Sequence, residues 1–144
     1  MRLKLIACEV LCRELCAVVA RSPTTVSLEF LAKGLHDIGA EPMRARLQAR
    51  VDAVPPEIFD AIALGYGLCN NGLVGLQARH TPLVLPRAHD CITLFMGDRH
   101  RYREYFETHP GTYFYTSGWI ERGEGAGEFQ DLSLIHISEP TRLL

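Results

Sequence analysis

No apolar run in the sequence approaches the ~20 residues that a bilayer-spanning helix needs. Neither sign of charge is in excess. The formal net charge of the 144 residues is −2, so no broad basic surface advertises nucleic acid. A secretory core is missing too: Arg2 and Lys4 precede the apolar Leu5-Ile6-Ala7-Cys8, but Glu9, Arg13 and Glu14 interrupt it. There is no internal repeat and no low-complexity segment. No glycine-rich loop ends in Gly-Lys-Ser/Thr, and no cysteines are spaced C-x-x-C. Five cysteines is an odd count. With no mark of secretion, it favours reduced thiols in a cytoplasmic protein over a disulfide framework. These absences leave a small-molecule ligand as the expected partner, with no nucleic acid and no membrane.

What is present suits one soluble domain with a real core: 47% apolar and 22% charged residues. Leu3 to Ala7 is a short apolar run, read as a buried strand. Apolar residues at Val10, Leu11, Leu15, Val18 and Val19 predict a helix over Glu9 to Ala20, ended by Arg21-Ser22-Pro23. Val26 to Leu31 is a second strand and Gly34 to Gly39 a loop. Pro42 suits the first turn of a helix running to about Ala53. Asp60 to Gly65 is the clearest buried strand. After the turn Asn70-Asn71-Gly72, a helix is expected through about Arg79. Pro82 to Leu85 is a fourth strand. Asp90 reads as the N-cap of Cys91 to Met96, Asp98 to Glu107 as an amphipathic helix, and Thr112 to Thr116 as a strand. Strands alternating with helices imply an α/β fold: an open, mainly parallel, Rossmann-like sheet with helices on both faces.

In such sheets ligands bind beyond the carboxyl ends of the strands. Three cysteines fall in that layer: Cys8 after the first strand, Cys69 after the third and Cys91 after the fourth. Thiolates hold iron–sulfur clusters and zinc, which makes Cys8, Cys69 and Cys91 the candidate metal ligands, with His89 as a possible fourth. Cys69 and Cys91 also sit near predicted helix N-termini, where a thiol pKa falls. Glu9, Arg87 and His89 flank the same mouth as candidate catalytic groups. The loop Gly65 to Gly72 follows a strand and precedes the expected helix, so Gly67, Asn71 and Gly72 are candidates for holding an anionic cofactor. Three functions remain open: a metal or cluster protein, a metal-free thiol enzyme with His89 as base, and a non-catalytic accessory module. His36-Asp37 could reach the crevice or cap a helix. Cys12 and Cys16 lie among apolar residues of the first helix and read as core packing. Gly118-Trp119 reads as a turn.

The stretches LIACEVLCRE, GLHDIG, GYGLCNNGL, LPRAHDCITLFMG and RYREYFETHPGTYFYTSGW together resemble the family of domain of unknown function 1638, over about Met1 to Glu121. The resemblance carries over to Cys8 and Glu9, to Gly67, Cys69, Asn71 and Gly72, and to Arg87, His89, Asp90 and Cys91. It implies no established reaction. It does imply a link to corrinoid-dependent methyl transfer, hence a protein partner in one-carbon metabolism. Asn70 stands where many members have a small residue. Members are also longer.

Residues Leu132 to Arg142, LSLIHISEPTR, match the translation of a common transposase-adapter DNA. The chain therefore divides into an incomplete α/β domain, 1–130, and a non-native tail, 131–144, whose His136 carries no functional weight. A domain truncated at its C-terminus leaves sheet edges and apolar helix faces uncovered. The 144-residue chain is expected to be poorly soluble, and a soluble preparation that melts cooperatively would contradict this.

Overall fold

The computed structural model describes residues 1–122 and 141–143. Four parallel strands form the central sheet: β1 (Arg2–Cys8), β2 (Thr25–Leu31), β3 (Ala61–Gly65) and β4 (Leu83–Val84). Their order is β2-β1-β3-β4. The register sets Cys8 beside Leu31 and Ala7 beside Gly65. The expected parallel α/β fold is therefore present. In this order the chain winds outward one way from β1 to β2 and the other way from β3 to β4. The switch lies between β1 and β3, where a crevice opens beyond the strand ends.

One face of the sheet carries the main core. Ile6, Ile62 and Leu64 pack with Met43, Leu47 and Val51 of α2 (Ala40–Asp52), together with Tyr66 and Leu73. The four-residue spacing of the α2 positions sets one stripe against the strands. Ile6, Met43, Leu47 and Ile62 are fully buried, and burying a side chain of this size is worth ~1.5–3 kcal/mol. Strand alternation turns Leu5 and Ala7 to the other face. Leu15 of α1 (Cys12–Ala20) lies there, 3.1 Å from where a Gly65 Cβ would stand. α1 has no buried residue of its own. Its predicted first turn is a separate 3-10 turn, Glu9–Leu11, in which Val10 and Leu11 are buried.

The helix expected between Gly72 and Arg79 is absent. Cys69, Asn71 and Gly75 have φ of 34°, 64° and 88°, and left-handed residues cannot continue a right-handed helix. The β3–β4 connection is instead a series of turns. Downstream, α3 (Cys91–Met96) starts as expected at Asp90, whose carboxylate accepts from the Thr93 N–H at 2.9 Å and the Thr93 hydroxyl at 3.0 Å. Asp98 caps α4 (Arg99–Thr108) through the His100 and Arg101 N–H groups. β5 (Tyr113–Tyr115) pairs in parallel with β6 (Thr141–Leu143). The expected turn at Gly118-Trp119 is a short helix, α5 (Ser117–Glu121). Gly118 packs so closely on the 3-10 turn that an added methyl would come within 2.7 Å of Val10 Cα.

The adapter-like reading falls mostly on residues 131–140, outside the described residues. Among the described residues no helix is long and apolar enough to cross a membrane.

Two glycines separate backbone contact from backbone angle. A methyl at Gly67 would stand 2.5 Å from Asp90 Cα, whereas Gly97 has open space but φ 73°. Gly97→Ala should cost the ~1 kcal/mol of a left-handed alanine. Gly67→Ala should cost about 3 kcal/mol, because two backbone segments must part. Urea unfolding midpoints of the two variants compare the losses directly, and equal shifts would refute the ranking.

Candidate functional site

The loop after β3 lies against the loop after β4. The Leu68 N–H donates to Ala88 O at 2.8 Å and the Cys69 N–H to His89 O at 2.9 Å. These two bonds tie the loops together and place Cys69 beside Cys91. Cys8, the last residue of β1, closes the third side. A cavity of about 230 Å3 opens at this switch point. Cys8, Cys69 and Cys91 all line it, with Lys33, His36, Tyr66, Asp90 and Trp119. The expectation that three cysteines distant in sequence share one crevice is met in this sense. Among the described residues, however, no group of three or more His, Cys, Asp or Glu side chains is arranged to hold a metal ion. The thiols share walls without converging on one point.

A nearby N–H lowers each thiol pKa: that of Val10 at Cys8, that of Cys91 at Cys69, and the Trp119 indole at Cys91. Burial nonetheless dominates. It pushes the Cys8 thiol up to about 11, with the neighbouring Cys69 and Glu9 adding to it. It pushes Cys91 up to about 12, with Cys69, Asp90 and Cys8 adding to it. Cys69 is raised by burial and by Asp90. The lowered thiol pKa expected from helix N-termini is therefore corrected. No helix follows Cys69, and at Cys91 desolvation outweighs the dipole of a six-residue helix.

Tyr66 is 4% exposed, and its hydroxyl has no hydrogen-bond partner. Burial and the nearby Cys8 and Cys69 raise its pKa strongly. Tyr66 lines the cavity, but its hydroxyl is enclosed in the interior rather than open to that space.

Glu9 does not line the cavity. Its carboxylate accepts from the Lys33 N–H at 2.9 Å and so ties the turn after β1 to the turn after β2, a 3-10 turn at Lys33–His36. That latch sets Lys33 Nζ 5.2 Å above the Trp119 ring and the His36 ring edge-on to it at 5.8 Å. His36 also pairs with Asp37 at 3.0 Å. His36 thus takes the place expected for His89.

His89 and Arg87 lie in a separate groove with α4. The His89 side chain is 78% exposed and is held by Asp90 at 3.1 Å, so it is no fourth ligand to the thiols. Gly67 belongs to the cavity wall, but through a close backbone approach to Asp90 rather than through an anion cradle. The N–H groups that were to bind an anion are otherwise engaged: Asn71 donates to Cys69 O, and Gly72 donates to Asn70 Oδ1 at 3.1 Å. Gly72 makes room for Met43 of the core. Asn70 holds the loop to the His36 carbonyl through its amide. Cys12 and Cys16 are not core residues. Cys16 is exposed, the two sulfurs are 4.0 Å apart, and Arg122 reaches Cys12 Sγ at 3.3 Å. They occupy the seam between α1 and α5, where α1 has little to bury.

Sequence reasoning missed Lys33, Tyr66 and Trp119. The one available signal was that Trp119 is the sole tryptophan, a large ring with a polar N–H that needs a partner when buried.

Asp90 joins the cavity to the groove. Burial works to raise its pKa, but hydrogen bonds from the Thr93 N–H, His89, Tyr102 and the Thr93 hydroxyl lower it on balance. The Tyr102 hydroxyl donates to it at 2.8 Å.

A family model described as protein of unknown function (DUF1638) matches residues 30–136. The match starts within β2, so Cys8 and Glu9 precede it. No curated protein and no solved structure matches the chain.

The raised thiols make a pH prediction for metal-free protein. The folded state binds these protons more tightly than the unfolded state, whose thiols titrate near ~8.5. Their contribution to stability is full below about that pH and is lost as pH rises toward 11 and 12. Urea midpoints should therefore fall between pH 8.5 and 10.5, and fall less steeply in Cys8→Ser/Cys91→Ser. Iodoacetamide should label both thiols slowly at pH 7. Fast labelling at neutral pH, or identical pH profiles, would sink this account.

Proposed function

The chain belongs to the DUF1638 family of proteins of unknown function, and we propose that it holds a thiophilic centre, an iron–sulfur cluster or a zinc ion, on Cys8, Cys69 and Cys91. The observation that carries this reading is that three cysteines from three strand ends share one cavity. Hydrogen bonds to sulfur are a lever by which proteins tune metal thiolates. Protonated thiols packed together repel once ionised, and a cation at their centre reverses that repulsion. A volume of about 230 Å3 exceeds a bare ion, since water takes up ~30 Å3. Loading requires the side chains to turn inward to a common point.

Three protein ligands leave one position open on the metal, the arrangement of catalytic rather than structural sites. Lys33 and His36 supply positive and proton-carrying groups in the same wall. On this reading the centre is enzymatic and acts on a small molecule. The metal-free thiol enzyme is less well supported, because burial keeps all three sulfurs protonated at neutral pH and His89 lies outside the cavity.

Anaerobic reconstitution with iron and sulfide, or with zinc alone, followed by metal analysis, tests the proposal. About one centre per chain is expected. Each of Cys8→Ser, Cys69→Ser and Cys91→Ser should lower occupancy at least tenfold, while Cys12→Ser/Cys16→Ser should leave it intact. Metal uptake that survives the triple cavity variant, or no uptake by folded protein, would refute the assignment. Because thiols must ionise to bind, loading should also release protons, a readout that does not depend on activity.

A further inference from the structure

A second, larger concavity of about 670 Å3 lies on the far side of Asp90. Its wall is built by Arg87 and His89 after β4, Thr93 of α3, and the face of α4 that carries Arg99, Arg103 and Phe106. Tyr102 and His100 complete it, and Glu107 is its one carboxylate. Asp98 flanks it at the α4 N-cap, but its carboxylate is taken up by the helix N–H groups. Asp90 sits behind it, engaged by Tyr102, His89 and Thr93. Among the described residues no carboxylate is paired with Arg87, Arg99 or Arg103.

This placement does not serve the fold. Arg99 and Arg103 stand four apart on one helix face, where like charges repel. Arg99 is also in the first turn of α4, the positive end of the helix dipole, where cations are unfavourable. Three guanidinium groups from two elements converge on one hollow with a single opposing carboxylate on its wall. An anion would relieve both costs, and arginine's planar fork matches phosphate oxygens in pairs. Ring surface from Tyr102 and Phe106 adjoins the cations, and the volume falls within the ~300–1,000 Å3 of small-molecule sites.

We infer that this groove binds a phosphorylated small molecule, its phosphates on Arg87, Arg99 and Arg103 and its apolar or ring portion against Tyr102 and Phe106. The inference is independent of what the thiol cavity holds. The two sites share no lining residue; Asp90 lines the thiol cavity and its partners His89, Thr93 and Tyr102 line the groove.

Calorimetric titration with ADP, pyrophosphate and adenosine separates the two parts of such a ligand. ADP and pyrophosphate should bind and adenosine alone should not. Arg87→Gln/Arg103→Gln should weaken ADP at least tenfold while the melting curve stays cooperative. Arg46→Gln, an exposed arginine on α2, should change nothing. Failure of both ADP and pyrophosphate to bind would overturn the inference. So would unchanged ADP affinity in the double variant, or an equal loss in Arg46→Gln. A single-stranded oligonucleotide that binds more tightly than ADP at the same salt would mark a general polyanion surface and also overturn it. Cys8→Ser should leave ADP binding unaltered, which keeps the result distinct from that of the thiol centre.

Discussion

The site rests on the pairing of two irregular segments beyond the sheet, Leu68-Cys69 against Ala88-His89. A parallel ladder only two residues long, Ile62 and Ala63 against Leu83 and Val84, would set the loops loosely. Two hydrogen bonds between the loops beyond that ladder fix the neighbourhood of Cys69 and Cys91. The absence of a Cβ at Gly67 lets Asp90 approach the post-β3 strand at backbone distance. Without that approach Asp90 could not cap α3 and also stand at the cavity wall.

Asp90 then acts in three places at once. Its Oδ1 starts α3 and so orients Cys91. Its Oδ2 holds His89 and Tyr102 on the outer side. Its charge lies close enough to Cys69 and Cys91 to help keep them protonated. A half-buried carboxylate is tolerated here because four hydrogen bonds offset its desolvation. The consequence is a partition: thiols on one side, guanidinium groups on the other, with a single anion between them. Such a wall keeps the guanidinium groups of the outer groove apart from the thiols of the cavity.

The fold was largely legible in the chain. The apolar runs at β1 and β3, the strand at β2, Pro42 in the first turn of α2 and the Asp90 cap are local signals, and the structure follows them. The failures share one cause. The helix expected after Gly72, the anion cradle at Asn71-Gly72 and the turn at Trp119 were each decided by tertiary contact. Whether the N–H of Asn71 is free depends on where Cys69 O points. Whether Trp119 is a turn or a cavity wall depends on Gly118 meeting Val10. The layer that holds Cys8, Cys69 and Cys91 could be read because strand ends are predictable in parallel sheets. Which way His89 turns could not, because its ring follows the Asp90 carboxylate and the Tyr102 ring of α4, a tertiary contact.

The protonated state of the three thiols follows from the same geometry and bears on what the cavity is for. Three N–H donors lower the thiol pKa values, yet burial and mutual repulsion raise them further. A site designed for a nucleophilic thiolate would place one sulfur near a cation or a helix end and keep other thiols away. This cavity groups three sulfurs, gives each a donor, and leaves a tyrosine hydroxyl without an acceptor. The donors stabilise negative charge on sulfur only after something has displaced the protons. On the proposed reading a thiophilic cation would do so, and would convert the repulsion among the sulfurs into shared attraction.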